Sequence, residues 1–194
     1  VMIGTLVEDR LSLVEAHRFA NIPVRLPDGL HWDVLRIWSE IKSGISAAVS
    51  RYDKQVDAIG LDTWGVDFAL LDQKGALLGN PFHYRDSRTD GMLAEACRRM
   101  PRESIFENTG IQFMEVNTLY QLLAMVLCKS PLLEVARTFL TIPDLFNYWL
   151  TGKIVCEFTN ATTTQCFDPR KRDWARPLLV AMGIPEQLFQ PVIE

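Results

Sequence analysis

The sequence is short of the residues that build metal centres, disulfide scaffolds, membrane spans and nucleic-acid surfaces, and each shortage removes a class of function. Its four cysteines, Cys97, Cys128, Cys156 and Cys166, stand 31, 28 and 10 positions apart. No C-x-x-C pair exists, and the count is sparse for a disulfide framework, so they read as buried or incidental thiols. The three histidines, His17, His31 and His83, have no second histidine at i+3 or i+4. Each reads as a packed or surface residue, and no metal site is expected. No run reaches the roughly 18 uninterrupted apolar residues of a membrane span. The net charge is −4, and Lys and Arg are scattered apart from Arg170, Lys171 and Arg172. Nothing here makes the basic field that attracts a phosphate backbone, so neither nucleic acid nor a membrane is an expected partner. The chain opens without the charged, apolar and small-residue succession of a signal peptide, which makes a cytoplasmic location the default expectation.

What is present is globular material: 194 residues, 48% hydrophobic and 23% charged, without repeat or low-complexity linker. That suffices for one domain with a sizeable core. Two apolar or alternating runs, Val1 to Val7 and Leu11 to Arg18, flank Glu8-Asp9-Arg10 and predict a β-hairpin. The pattern is already inside a strand at Val1, which suggests that something lies upstream. Pro23 to Gly29 reads as a loop. Val34, Ile37, Trp38, Ile41, Ile45 and Val49 recur every three or four positions, predicting a helix that Asp33 caps. Val56 to Asp72 reads as a buried strand broken at Trp64-Gly65, then a second strand Phe68 to Leu71 that turns at Gln73-Lys74-Gly75 into Ala76 to Leu78.

From Asp86 onward the pattern is helical. Leu93, Ala94, Cys97 and Met100 are expected to share a face, and Ser104 with Glu107 and Thr118 with Gln121 match capping boxes. Helices over Pro143 to Leu150 and Pro177 to Met182 should stop at Gly152 and Gly183. Helix, strand and hairpin in this order make a mixed α/β domain with a helix-rich second half.

The stretch with most chemistry is Ile59-Gly60-Leu61-Asp62-Thr63-Trp64-Gly65-Val66-Asp67-Phe68. A strand ending in these residues sets polar groups and open backbone at the edge where α/β folds bind ligands. Polyols need fixed donors and acceptors beside a flat apolar wall. Asp62 and Asp67 supply acceptors, Thr63 both roles, Trp64 a stacking face, and Gly65 close approach to the main chain. On spacing alone a strand end with a core Trp64, a turn-capping Asp62 and a bulge at Gly65 is the better reading.

Gly60 to Phe68 also resembles the sugar-reading strand and loop of the FGGY carbohydrate-kinase family, and Asp-Thr-Trp-Gly-Val-Asp-Phe resembles its rhamnulokinase branch. Other stretches agree in order: His31-Trp32-Asp33, Tyr84 to Thr89, Thr109 to Phe113, Asn117 to Gln121, Pro143-Asp144, Leu150 to Lys153 and Thr159 to Gln165. Together they span almost the whole chain.

The resemblance implies a ribonuclease-H-like fold of the actin and hexokinase type, with a mixed central sheet, flanking helices and a helical elaboration after Asp86. It implies that residues 1–194 are the N-terminal, sugar-binding domain, without the first strand and phosphate loop and without the C-terminal ATP domain. The parent would be a carbohydrate kinase moving the γ-phosphate of ATP, with Mg²⁺, to the primary hydroxyl of L-rhamnulose. The alternatives are another ketose kinase, such as one for L-fuculose, or a non-catalytic sugar- or protein-binding module. Gly65 falls where the branch contacts its ketose, flanked by Trp64 and Asp67. No catalytic residue is expected within the chain, because the family's catalytic Asp lies further downstream. Arg85 with Asp86 is the weaker sugar candidate, since Asp86 suits a helix cap better. The hydroxyls of Asn160 to Gln165 resemble a domain-stabilising turn and are expected to satisfy backbone. Family members are often dimers, so a homodimer is an expectation from resemblance alone.

Overall fold

A two-residue side-chain period early in the chain gives way to a three-to-four-residue period later, and the elements follow that order. In the computed structural model, which describes residues 1–51 and 56–194, strands β1 (Met2–Val7) and β2 (Arg10–Glu15) form the expected antiparallel hairpin. Glu8 and Asp9 both hold positive φ, 48° and 60°. That is the two-residue turn whose twist matches the strands it joins. The hairpin is tied to the first helix by His17 Nε2 against Glu40, at 2.6 Å.

The stretch expected as a loop over Pro23 to Gly29 is instead a second hairpin, β3 (Val24–Leu26) against β4 (Gly29–His31). Strands of three residues are too short to display a period of two, and Pro27-Asp28 supplies only the turn chemistry that was read. Gly29 sits at φ 150°, and a Cβ there would lie 2.9 Å from an Asp86 carboxylate oxygen. Helix α1 (Val34–Arg51) follows as expected, with Asp33 Oδ1 accepting from the Arg36 amide at 3.1 Å.

The strand expected over Val56 to Asp62 does not form. Among the described residues no strand pairs with it, and Val56 and Ile59 are exposed. Apolar character alone does not make a strand, because the backbone amides need a neighbouring ladder. The second part does form: β5 (Phe68–Leu71) runs antiparallel to β6 (Thr138–Thr141), every residue of both buried. Single bridges widen this pair on both sides, Leu71 to Leu77 and Phe139 to Phe189. The predicted turn closes where Asp72 N donates to the Ala76 carbonyl, 2.9 Å.

The rest is helix-rich: α2 (Met92–Arg99), α3 (Arg102–Thr109), α4 (Thr118–Leu127), α5 (Pro131–Val135), α6 (Ile142–Thr151), α7 (Phe158–Thr163) and α8 (Arg176–Met182). Short strands complete it, β7 (Cys156–Glu157) parallel to β10 (Val192–Ile193), and β8 (Phe167–Asp168) antiparallel to β9 (Asp173–Trp174). Strands thus pair two by two among the described residues, in both senses, within an α/β fold. Gly152 and Gly183 end α6 and α8 in left-handed conformation, as their positions predict.

Three local expectations change. Ala94 is exposed and Ala96 buried, so the inner face of α2 is Leu93, Ala96, Cys97 and Met100, the i, i+3, i+4, i+7 set. Ser104 lies inside α3, whose N-cap position is Pro101, so Ser104 and Glu107 make no capping box. Thr118 and Gln121 do not cap α4 either; both side chains leave the helix to bond a distant loop.

The core centres on Phe139, fully buried among Phe68, Phe189 and Trp174 at ring distances of 5.1, 5.0 and 5.9 Å. Phe139→Ala should cost about 3–5 kcal/mol of unfolding free energy in urea melts. Phe106→Ala, at an exposed position, should stay within about 0.5 kcal/mol of the parent. Equal losses at both positions would contradict this placement of the core.

Candidate functional site

The turn between the unpaired segment and β5 is where the chain concentrates its polar chemistry. Val66 has φ 67°. A β-branched residue rarely adopts that conformation, and strain of this kind persists only where surroundings hold it. Here they do: the Val66 carbonyl accepts from Thr118 Oγ1 at 2.6 Å and from Gln121 Nε2 at 3.3 Å.

The next residue, Asp67, is fully buried. Its Oδ2 accepts from the indole N–H of Trp32 (2.5 Å), the indole N–H of Trp64 (2.9 Å) and the Tyr84 amide (3.3 Å). Its Oδ1 accepts from Gln121 Nε2 at 2.9 Å. Burial holds the Asp67 carboxyl above the usual carboxylate range, and these donors offset only part of that rise. Around it the rings of Trp32, Trp64, His83 and Tyr84 pack face to face or tilted, with neighbouring centroids 4.1 to 4.6 Å apart.

On the outer side of the same turn is a pocket of about 420 Å³. One wall is Leu61 to Gly65, and the other is Pro143, Asp144 and Asn147 of α6 with Glu157, which precedes α7, and Thr159, Asn160 and Thr163 along it. The structure therefore brings Trp64 and Gly65 to the pocket surface and sets Asp67 behind them, its oxygens already engaged. Gly65 faces α7 closely: a Cβ there would lie 3.3 Å from Thr163 Oγ1. Asp62 and Thr63 reach the pocket as well.

Asp144 anchors the facing wall. It is almost wholly buried, accepting from Thr141 Oγ1 at 2.6 Å and from the Glu157 amide at 3.1 Å. Burial pushes its carboxyl up to about 6 despite those bonds. Glu157 caps α7 through the amides of Thr159 and Asn160. The hydroxyls of Thr162, Thr163 and Thr164 donate to carbonyls three residues back, as the run predicts. Asp86 is likewise a cap, its two oxygens taken by the Leu30 and Arg88 amides, while Arg85 is exposed over the Tyr84 ring. Asp144, Asn147 and Gln121 were not among the site candidates read from the sequence. Their relevance depends on where α4 and α6 pack, which no local pattern encodes.

Arg170 and Lys171 pair with Asp168, and Arg172 with Glu194. His31 and His83 are buried, and none of the four cysteines is in a disulfide. Among the described residues no helix is long and apolar enough to cross a membrane, and no three His, Cys, Asp or Glu side chains group to hold a metal ion.

The polar pocket, walled by an indole and open backbone, thus lies beside the β5–β6 pair of an α/β domain, and comparison with known sequences gives its family. Residues 9–194 match the profile of the FGGY family of carbohydrate kinases, N-terminal domain, and the chain belongs to that family. Within it, the chain is 43% identical over 195 residues to the rhamnulokinase of Pectobacterium carotovorum subsp. carotovorum (strain PC1), and 41% over 192 residues to that of Oceanobacillus iheyensis. Both alignments cover 99% of this chain but only 39% and 41% of the relative. The fold matches a ligand-bound xylulose kinase and a gluconate kinase from Lactobacillus acidophilus, each with a TM-score of 0.81, at 18% and 19% identity. Those matches cover 95% of this chain and 37% and 39% of theirs, and they establish the ribonuclease-H-like α/β fold.

Two measurements check the electrostatics. The folded-state Asp144 carboxyl lies near 6 against 3.8 when unperturbed, so the folded chain holds a proton that the unfolded chain releases first. Its contribution to stability is therefore fully present below pH 3.8 and falls as pH rises to about 6, by roughly 3 kcal/mol in all. The unfolding free energy of Asp144→Asn minus that of the parent should rise by about that amount between these limits; a difference flat in pH would show that Asp144 ionises freely. At Asp67 every bond accepted comes from a donor, so Asp67→Asn turns an amide N–H toward one of them. That variant should lose about 2–4 kcal/mol at pH 7, read from urea midpoints.

Proposed function

We propose that this domain holds the sugar of an ATP-dependent ketose kinase, and that the sugar is L-rhamnulose, which the whole enzyme converts to L-rhamnulose 1-phosphate with release of ADP. The observation that carries this is the Trp64-Gly65 edge, open to a polar pocket and backed by a buried carboxylate, in a chain over 40% identical to rhamnulokinases. A ketose needs an apolar face against its C–H surface and directed donors and acceptors for its hydroxyls. The Trp64 ring supplies the first. The Gly65 main chain, Thr63, Asn160 and Asn147 supply the second, with no side chain at Gly65 to keep a hydroxyl away. Asp67 acts from behind by fixing the Trp64 indole.

ATP and a divalent metal, which spreads charge on the transferring phosphoryl group, belong to the reaction of this kinase class. The role assigned to this chain is binding and orienting the sugar. A small-molecule sugar is the partner this reading calls for. A cytoplasmic location and a dimeric parent accord with it.

Thermal unfolding of the chain tests the reading. A ligand that binds only the folded state at ten times its Kd adds about 1.4 kcal/mol. For a domain of this size that raises the midpoint by about 3–6 °C. L-Rhamnulose should do so, L-fuculose should do less, and Gly65→Leu, which fills the pocket edge and presses on Thr163, should abolish the shift while lowering the ligand-free midpoint by about 2–8 °C. No shift with any ketose at concentrations up to the tens of millimolar would remove the sugar-site assignment.

A further inference from the structure

Behind the sugar wall lies a buried cation that the reading above leaves without a task. Arg88 follows Asp86 in the 3-10 turn Ser87–Thr89 and folds inward over the Phe82 ring, its guanidinium carbon 4.0 Å from the ring centroid. Its Nε and Nη1 are buried without a hydrogen-bond partner. Among the described residues its one side-chain hydrogen bond runs from Nη2 to Gln121 Oε1, 2.6 Å. Burial lowers the guanidinium to about 10, opposed by the negative charges of Asp86 and Asp67, so it stays charged at neutral pH.

Gln121 is the middle of a line that carries direction. Arginine only donates, so the end of the carboxamide facing Arg88 must be the oxygen. The NH₂ end is then forced toward Asp67 Oδ1, the Val66 carbonyl and the Val116 carbonyl, at 2.9, 3.3 and 3.0 Å. All three are acceptors, so the orientation is consistent at both ends. Reversing the amide would set donor against donor at Arg88 and acceptor against acceptor at Asp67. The cation thereby fixes an amide, the amide fixes a carboxylate, and the carboxylate fixes the indoles of Trp32 and Trp64.

We infer that Arg88 and Gln121 are positioning residues for the sugar wall: through Asp67 they set the plane of the Trp64 indole and the strained turn at Val66 from which Gly65 is presented. The link to a sugar rests on the function proposed above, whereas the relay itself does not. A merely structural Arg88 would support the fold without addressing one particular pair of tryptophans out of five.

The test is ¹⁵N-edited NMR of the tryptophan indole N–H groups in the chain, where Trp38, Trp149 and Trp174 serve as internal references. The Trp174 indole donates to the Gln190 carbonyl, away from the relay. In Arg88→Met and in Gln121→Met the Trp32 and Trp64 resonances should both shift while the other three hold. Arg88→Lys, which keeps a buried donor cation, should restore the parent positions. Folded variants in which Trp32 and Trp64 do not move would overturn the relay. Should the methionine variants not fold, the parent still decides: the Gln121 carboxamide protons should exchange with water at least about tenfold more slowly than those of an exposed glutamine, and equal rates would refute the orientation.

Titrating L-rhamnulose then separates the two claims. In the parent, added sugar should move Trp64; if it does not, the sugar reading fails while the mutational shifts still judge the relay. Where the parent binds, Arg88→Met should weaken affinity about tenfold and Arg88→Lys should recover most of it. Unchanged affinity in a folded Arg88→Met with displaced indoles would refute a positioning role.

Discussion

The fold of the site depends on one buried carboxylate. Asp67 collects donors from Trp32 at the mouth of α1, from Trp64 three residues earlier, from the Tyr84 amide and from Gln121 on α4. These groups come from four separate parts of the sequence. Taking a carboxylate from water is expensive, and charge-assisted bonds at both oxygens are what make it tolerable. The consequence reaches past stability. Because the acceptor geometry is fixed by four donors at once, the indole that walls the pocket is held in one orientation, and the turn at Val66 is held in a conformation it would otherwise leave.

The second buried carboxylate makes the other wall. Asp144 lies on α6, just after β6, as Asp67 lies just before β5, and Phe68 and Thr141 face each other across that strand pair. The Ile142 amide donates to the Asp67 carbonyl at 3.2 Å. Both anchors therefore hang from the same end of the same two buried strands, and the pocket opens between them. This is the edge where α/β sheets place ligands, reached here by an antiparallel pair.

Much of this was legible in the residues. The α1 periodicity, the glycine stops at 152 and 183 and the Glu8-Asp9 turn are local features with local causes, and they hold. The strand at Val56 to Asp62 failed because pairing is not local: apolar spacing specifies a face but not a partner. Thr118 and Gln121 misled for a related reason. Their spacing fits a capping box, in which side-chain oxygens accept from the helix's first amides, but Thr118 Oγ1 and Gln121 Nε2 instead donate to the Val66 carbonyl and the Asp67 carboxylate, acceptors that only tertiary packing brings there. Trp64 and Gly65 were found by motif and reach the pocket. Asp67 was read as a contact residue, and its full burial sets it instead one layer back.

On the sugar-site reading proposed above, that layering bears on how specificity can vary in this domain. The residues that meet solvent in the pocket, Thr63, Asn147, Asn160 and Thr163, make few bonds that the fold requires, whereas Asp67, Gln121 and Asp144 have partners at every turn. A change in the outer set alters which hydroxyl pattern fits and leaves the anchors untouched. A change in the inner set moves the wall itself, and with it every contact the wall makes. Gly65 is the exception that belongs to both layers. It has no side chain to offer a ligand, yet its place beside Thr163 and one residue from the strained Val66 means that any side chain there meets the ligand space and the opposite wall together. A glycine at this position is thus set by the geometry of both walls, since a Cβ there would already lie 3.3 Å from Thr163 Oγ1.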